Sequence, residues 1–193
     1  MAWVYVALRV GTGLASTLII ASKRAGMLEE RFSPGEGVKA WDRPLASIAM
    51  LLSLVTLVAA GLDMRFGWSP ELALGVRLAA LILFVLGDTL SKWAAVTNRF
   101  YSRIVRIQED RGHTVVDQGP YRFVRHPGYA GGLLAGLATP IVLGSLWALV
   151  AAGALTLLLV VRTALEDNTL HDELPGYDQY AQRIRYRLVP GAW

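Results

Sequence analysis

GYAGGLLAGLATPIVLGSLWALVAAGALTLLLVV, residues 128–161, runs for 34 positions without a charged side chain. As one helix it would be about 51 Å long at 1.5 Å per residue, against about 30 Å of hydrocarbon in a bilayer. A single crossing is therefore too short for it. Pro140 and the Gly144-Ser145 pair fall near its middle, and both disfavour a continuous helix. The stretch reads as a tight hairpin of two membrane spans.

Three further apolar runs precede it. Ala2–Ala21 is interrupted only by Arg9, Leu45–Leu62 has no charge, and Glu71–Trp93 holds Arg77, Asp88 and Lys92. The N-terminal run has no basic segment ahead of it, so it reads as a span and not as a cleaved secretory leader. The expected fold is all-α, a polytopic membrane bundle of about five transmembrane helices with a C-terminal helical hairpin. Composition agrees: 54% of residues are hydrophobic, only 18% are charged, and mean hydropathy is +0.42. Soluble domains hold about 45–50% apolar residues, and the excess here needs lipid to face.

The charges cluster between the spans. Lys23, Arg24, Arg31, Lys39 and Arg43 follow span one. Arg99, Arg103, Arg106, Arg111, Arg122 and Arg125 separate spans three and four, and Arg183, Arg185 and Arg187 lie in the tail. The loop after span two has only Arg65, and the hairpin tip has none. By the positive-inside rule this predicts an integral membrane protein of a bacterial inner membrane, N-terminus outside and C-terminus cytoplasmic. The net charge of +4 is thus assigned to anionic lipid, with no nucleic-acid partner expected. Pro34-Gly35-Glu36-Gly37 predicts an irregular cytoplasmic loop. The chain divides into residues 1–97, three spans, and residues 98–193, a connector, the hairpin 128–161 and a C-terminal cap.

Zero cysteines exclude disulfides, thiolate catalysis and thiolate-bound metals. His113 and His171 have no ligand-spaced partner, so no metal is expected. Polar chemistry is confined to the stretches 98–127 and 162–193. In the first, Gly119-Pro120-Tyr121-Arg122-Phe123-Val124-Arg125-His126-Pro127-Gly128-Tyr129 leads into span four with a proline suited to a helix's first turn. It reads either as an interfacial turn with basic and aromatic anchors or as a helix mouth that receives a carboxylate. Gly128, Gly132 and Gly136 make a small-residue stripe, read as close helix packing or as a face for a flat ligand. Arg162 and Glu166 share a helical face at the inner end of span five, next to Asp167. Asp88 and Lys92, four apart, read as a structural pair, and Arg9 and Arg77 as snorkelling side chains near outer ends.

The block from His113 to Tyr129 resembles the "GHxLVxxGPYxxxRHPxY" element of the isoprenylcysteine carboxyl methyltransferase family, which is grouped with phospholipid methyltransferases among integral membrane enzymes. Beyond the hairpin, Arg162-Thr-Ala-Leu-Glu166-Asp167-Asn-Thr-Leu170 resembles that family's "RxxxEExxL" element. Leu174-Pro-Gly-Tyr-Asp-Gln-Tyr180 continues the likeness. The resemblance covers about half the chain, residues 98–193, and departs from the pattern at Asp167, where the family has a second Glu.

The resemblance implies an S-adenosyl-L-methionine-dependent methyltransferase acting on a lipophilic small-molecule or lipidated substrate drawn from the membrane, with a cytoplasmic cap over the cofactor. It implies cofactor contacts from His113, Val115, Tyr121, His126, Pro127, Tyr129, Glu166 and Asp167, with backbone contacts from 106–116 toward the adenine end. Arg125, Arg162 and Glu166 would form the catalytic group, the two arginines holding a substrate carboxylate. A carboxylate with pKa of about 4 is already ionised at pH 7 and needs no base, only positive groups to align it. No base stands out near the motifs, which favours O-methylation. The alternatives are amine N-methylation of a phospholipid, an NADPH-dependent sterol-type reductase, and a non-enzymatic membrane scaffold or transporter.

Overall fold

The structure is a computed structural model that describes residues 1–23 and 36–193. Pro34 and Gly35 of the loop expected at Pro34-Gly35-Glu36-Gly37 lie outside the described residues. The described elements are α1 (Ala2–Lys23), α2 (Asp42–Phe66), α3 (Leu74–Thr97), α4 (Pro127–Leu143), α5 (Ala148–Glu173) and α6 (Tyr177–Arg183), with short 3-10 turns at Glu109–Arg111 and Gly119–Arg122. Among the described residues every regular element is helical.

Helices α1, α2, α3 and α5 are long and apolar enough to cross a membrane, and α4 is a shorter apolar helix. The chain is an integral membrane protein. Side chains such as Leu14, Met50, Leu54, Leu86, Val150 and Leu157 project outward from these helices, which makes a belt that is tolerable only against lipid.

The hairpin forms, but its arms are unequal. Pro140 remains inside α4, and the break falls at Gly144, whose φ of +82° places it in the left-handed region. Glycine adopts that conformation without Cβ penalty and ends the helix. On the far side α5 continues past Val161 to Glu173, so the Arg162–Leu170 motif is the last part of a span and not a separate cap. The tip is tied down by Asp63 of α2. Its carboxylate accepts from the Ser69 backbone N–H at 2.7 Å, Ser69 Oγ at 2.5 Å and Ser145 Oγ at 2.5 Å.

Close helix contact does not use the stripe expected at Gly132 and Gly136. A Cβ on either would meet nothing within 4 Å, whereas one on Gly131 would fall 2.4 Å from the Gly87 carbonyl oxygen. A Cβ on Gly87 would fall 2.6 Å from the Ala135 nitrogen. The α3–α4 seam is therefore Gly87 against Gly131 and Ala135, where missing side chains let backbones touch. Tyr5, Ala80, Phe84, Ala135, Ala138 and Val142 form the adjoining core.

Two arginines expected to snorkel do more. Arg77 donates from Nε to the Val142 carbonyl at 3.2 Å, which satisfies one of the open acceptors at the end of α4. Arg9 turns inward and donates to Asp88 at 2.8 Å. Asp88 and Lys92 pair as their spacing suggests, and Thr12 Oγ1 donates to the same carboxylate at 2.8 Å.

Candidate active site

The first turn of α4 and the last turns of α5 converge. Tyr129 O–H donates to Glu166 at 2.6 Å, which joins the two helices directly. Behind that contact lies Asp167, fully buried. It accepts from Arg125 Nε and Nη2, both at 2.9 Å, His126 Nε2 at 2.9 Å, Tyr177 O–H at 2.7 Å and Arg187 Nε at 2.7 Å. A buried carboxylate survives only with such compensation. Asp167 thereby fastens the entrance of α4, the end of α5, α6 and the tail to one point. The tail also pairs with the motif through its backbone: Arg125 N–H donates to the Tyr186 carbonyl and His126 N–H to that of Arg187, both at 2.9 Å.

Arg162 is held from the other side. Its Nε donates to Asp42 Oδ1 at 2.6 Å, and Nη2 donates to Asp42 Oδ2 at 3.1 Å and to the Arg103 carbonyl at 2.6 Å. The guanidinium lies 5.6 Å from the centre of the Tyr129 ring. Its Nη1 has no protein partner among the described residues. Arg125 differs, because its Nη1 donates to the carbonyls of Ile184 and Arg185, each at 2.9 Å. With the two bonds to Asp167, four of its five N–H donors are committed inside the protein.

The connector covers the same end of the bundle. Gln108, buried, donates from Nε2 to the Phe100 carbonyl at 2.7 Å. The Phe100 and His113 rings lie 4.4 Å apart. His113 Nδ1 accepts from the Gln108 backbone N–H at 3.3 Å, and Tyr180 O–H donates to the Tyr121 carbonyl at 2.8 Å. Burial, then the charges of Arg106, Arg111 and Arg99, push the His113 pKa down to about 4, so the ring is neutral at pH 7. Burial pushes the phenols of Tyr121, Tyr177 and Tyr180 upward, so they remain hydrogen-bond donors.

These parts enclose a cavity of about 510 Å³. Of the expected site residues, His113, Val115, Tyr121, Arg125, His126, Tyr129, Arg162 and Glu166 line it. Pro127 and Asp167 do not; both are buried behind the wall. The sequence reading missed Asp42, Gln108, Tyr177 and Arg187. Asp42 stood as one acid ahead of an apolar run, with no motif to mark it.

A second cavity of about 490 Å³ lies among the spans, with Val6, Val10, Met50, Leu57, Leu155 and Leu159 in its walls. The open glycines Gly132 and Gly136 lie here, so the stripe widens a cleft instead of packing a helix. Arg9 and Ser53 line both cavities, which marks where the two adjoin.

Fold and cavities define a polytopic α-helical membrane protein whose capped polar chamber meets an apolar cleft between spans. The model of the isoprenylcysteine carboxyl methyltransferase (ICMT) family matches residues 80–172, a range that includes both motif elements. A probable protein-S-isoprenylcysteine O-methyltransferase of Oryza sativa subsp. indica is 33% identical over 69 residues, 35% of this chain and 36% of that protein. Protein-S-isoprenylcysteine O-methyltransferase B of Arabidopsis thaliana is 26% identical over 141 residues, covering 72% of this chain and 70% of its own. The chain thus spans about a third of the rice relative's length. The solved structure of the eukaryotic intramembrane Ras methyltransferase ICMT shares the fold, with TM-score 0.65 and 21% identity over 93% of this chain and 63% of that one.

Proposed function

We propose that this chain is an S-adenosylmethionine-dependent methyltransferase that esterifies the carboxylate of a prenylated or otherwise lipid-like acceptor. The observation that carries the reading is the junction of α4 and α5 at Tyr129 and Glu166, set in a polar chamber that adjoins an apolar cleft. The chamber would take the cofactor and the cleft the acceptor's chain, which enters sideways from the bilayer. Residues 98–193 form the core, and residues 1–97 contribute Arg9, Asp42 and Ser53 to it. The N-terminus would lie outside a bacterial inner membrane, with the capped end in the cytoplasm.

The donor set suits that cofactor. Glu166 offers a carboxylate to its cationic or hydroxyl groups. The faces of Tyr121, Tyr129 and Tyr177 suit a sulfonium by cation–π attraction. His113, neutral and tilted against the Phe100 ring, with Val115 beside it, suits a flat base. When bound, the cofactor supplies an electrophilic methyl group. The protein's part is alignment and exclusion of water, since an ionised carboxylate needs no proton removed. Arg162, its Nη1 uncommitted, holds the acceptor carboxylate. Arg125 and Asp167 serve as the clamp that positions His126 and the α4 entrance, and Pro127 starts that helix.

Isothermal titration of the detergent-solubilised protein with S-adenosylmethionine and separately with NADPH tests the cofactor. Saturable heat with the first alone supports the reading. Heat with NADPH alone points to a reductase, and heat with neither leaves a scaffold or transporter.

A further inference from the structure

Two arginines were expected to hold the acceptor's carboxylate, but Arg125 is occupied by Asp167 and the tail. If the chain methylates a carboxylate, as proposed, a second cation remains to be found. Arg9 stands eighth in α1, about 11 Å along the helix from its start, at a depth where ionisable side chains are rare and tend to serve a site. It donates from Nη1 to Asp88 Oδ1 at 2.8 Å. Among the described residues its guanidinium makes no other hydrogen bond, which leaves four of five N–H donors without a protein acceptor. The side chain is 57% exposed and lines both cavities.

Charge points the same way. Asp88, 3% exposed, is shared between Arg9 and Lys92. Two cations on one carboxylate leave one formal positive charge among apolar helices, where uncompensated charge is unfavourable. An anionic ligand would complete the set. The walls on the cleft side are aliphatic, so the ligand that fits has an apolar chain and places its anionic head beside Arg9.

We propose that Arg9 is the second carboxylate-holding arginine, acting with Arg162 on the wall of the same chamber, and that it sets the preference for an acidic over an uncharged acceptor. This role rests on the proposed carboxyl methylation. The α1 helix, outside the family-matched range, thus supplies a specificity residue.

The test is equilibrium binding of N-acetyl-S-farnesylcysteine and its carboxamide to the solubilised full chain, read without any methyl transfer. Wild type should prefer the acid, and Arg9→Met, which keeps Arg162, should reduce that preference by about tenfold or more, the scale of one charge-assisted hydrogen bond. Arg9→Lys, with the charge but not the fork, should fall between. A preference that Arg9→Met leaves undiminished, or one absent in wild type, overturns the proposal. Should Arg9→Met not fold, Asp88→Asn carries the test: with the competing carboxylate neutralised, affinity for the acid rises while that for the carboxamide holds, and an unchanged ratio is contradictory. A wild type that binds the acid selectively through Arg9 but never methylates it would count against the proposed activity while leaving Arg9's binding of the carboxylate standing.

Discussion

Arg125 and Asp167 meet in a two-pronged ion pair, Nε on Oδ1 and Nη2 on Oδ2, each at 2.9 Å. The pair ties the residue two places before α4 to the penultimate turn of α5, across the two spans that intervene in sequence. A fork on a carboxylate fixes orientation as well as distance. The wall of the chamber therefore depends on it.

Removing one partner of a buried pair leaves the other uncompensated, at a cost of about 3–5 kcal/mol. Asp167→Asn is thus expected to lower the thermal midpoint in detergent by about 10 °C for a chain of this size. It should also abolish S-adenosylmethionine binding, because His126, Tyr177 and Arg187 lose their common acceptor. Differential scanning fluorimetry with and without cofactor reads both effects.

The glycines separate packing from cavity. Gly131→Ala and Gly87→Ala place a Cβ against backbone at 2.4–2.6 Å and should destabilise by about 1–3 kcal/mol through overpacking. Gly132→Ala and Gly136→Ala meet open space and should melt like wild type. They should instead raise the acceptor KM, because they line the cleft. Melting curves and acceptor titrations on the four variants distinguish the two seams.

Much of the fold was readable from the chain alone, for reasons that differ by element. Spans announce themselves because lipid forbids charge over about 20 residues, which is why Leu45–Leu62 lies wholly inside α2. The hairpin was visible because 34 uncharged residues exceed one crossing. Its break fell at Gly144, one of the two places expected, while Pro140 stays inside α4. The glycine stripe left two readings open because Gly128, Gly131, Gly132 and Gly136 offer two faces, and only the position of α3 decides which is buried. Partners such as Asp42 with Arg162, 120 positions apart, leave no local pattern at all. The setting of Arg125 was hidden in the same way, since Asp167 and the tail carbonyls that accept from it are visible only in three dimensions.

His113 gives a pH signature. Its pKa falls from an ordinary 6.5 to about 4 in the folded chain, so between those values the unfolded state binds more protons. Stability therefore falls as pH drops from about 6.5 toward 4, and is unaffected by this group above that window. Protonation would also cost Nδ1 its bond from the Gln108 N–H. Melting temperature against pH should show the decline, and His113→Asn should flatten it.

Glu166 and Tyr129 should act together. Glu166→Gln removes the chamber's carboxylate and should weaken S-adenosylmethionine binding at least about tenfold, the scale of one charged hydrogen bond. Tyr129→Phe leaves the acid but frees it from its 2.6 Å partner, and a smaller loss is expected. In a double-mutant cycle by calorimetry the two effects should be non-additive, as for residues in direct contact.

The most direct measurement supplies the purified protein with S-adenosylmethionine carrying a labelled methyl group and a lipid extract of its host membrane, and asks where the label goes. Label in an organic-soluble product that mild alkali releases as methanol is the outcome expected, because a methyl ester hydrolyses and an N-methyl group does not. Label that alkali leaves in place, or a lipid fraction that never acquires label while the cofactor binds, would contradict carboxyl methylation at this site.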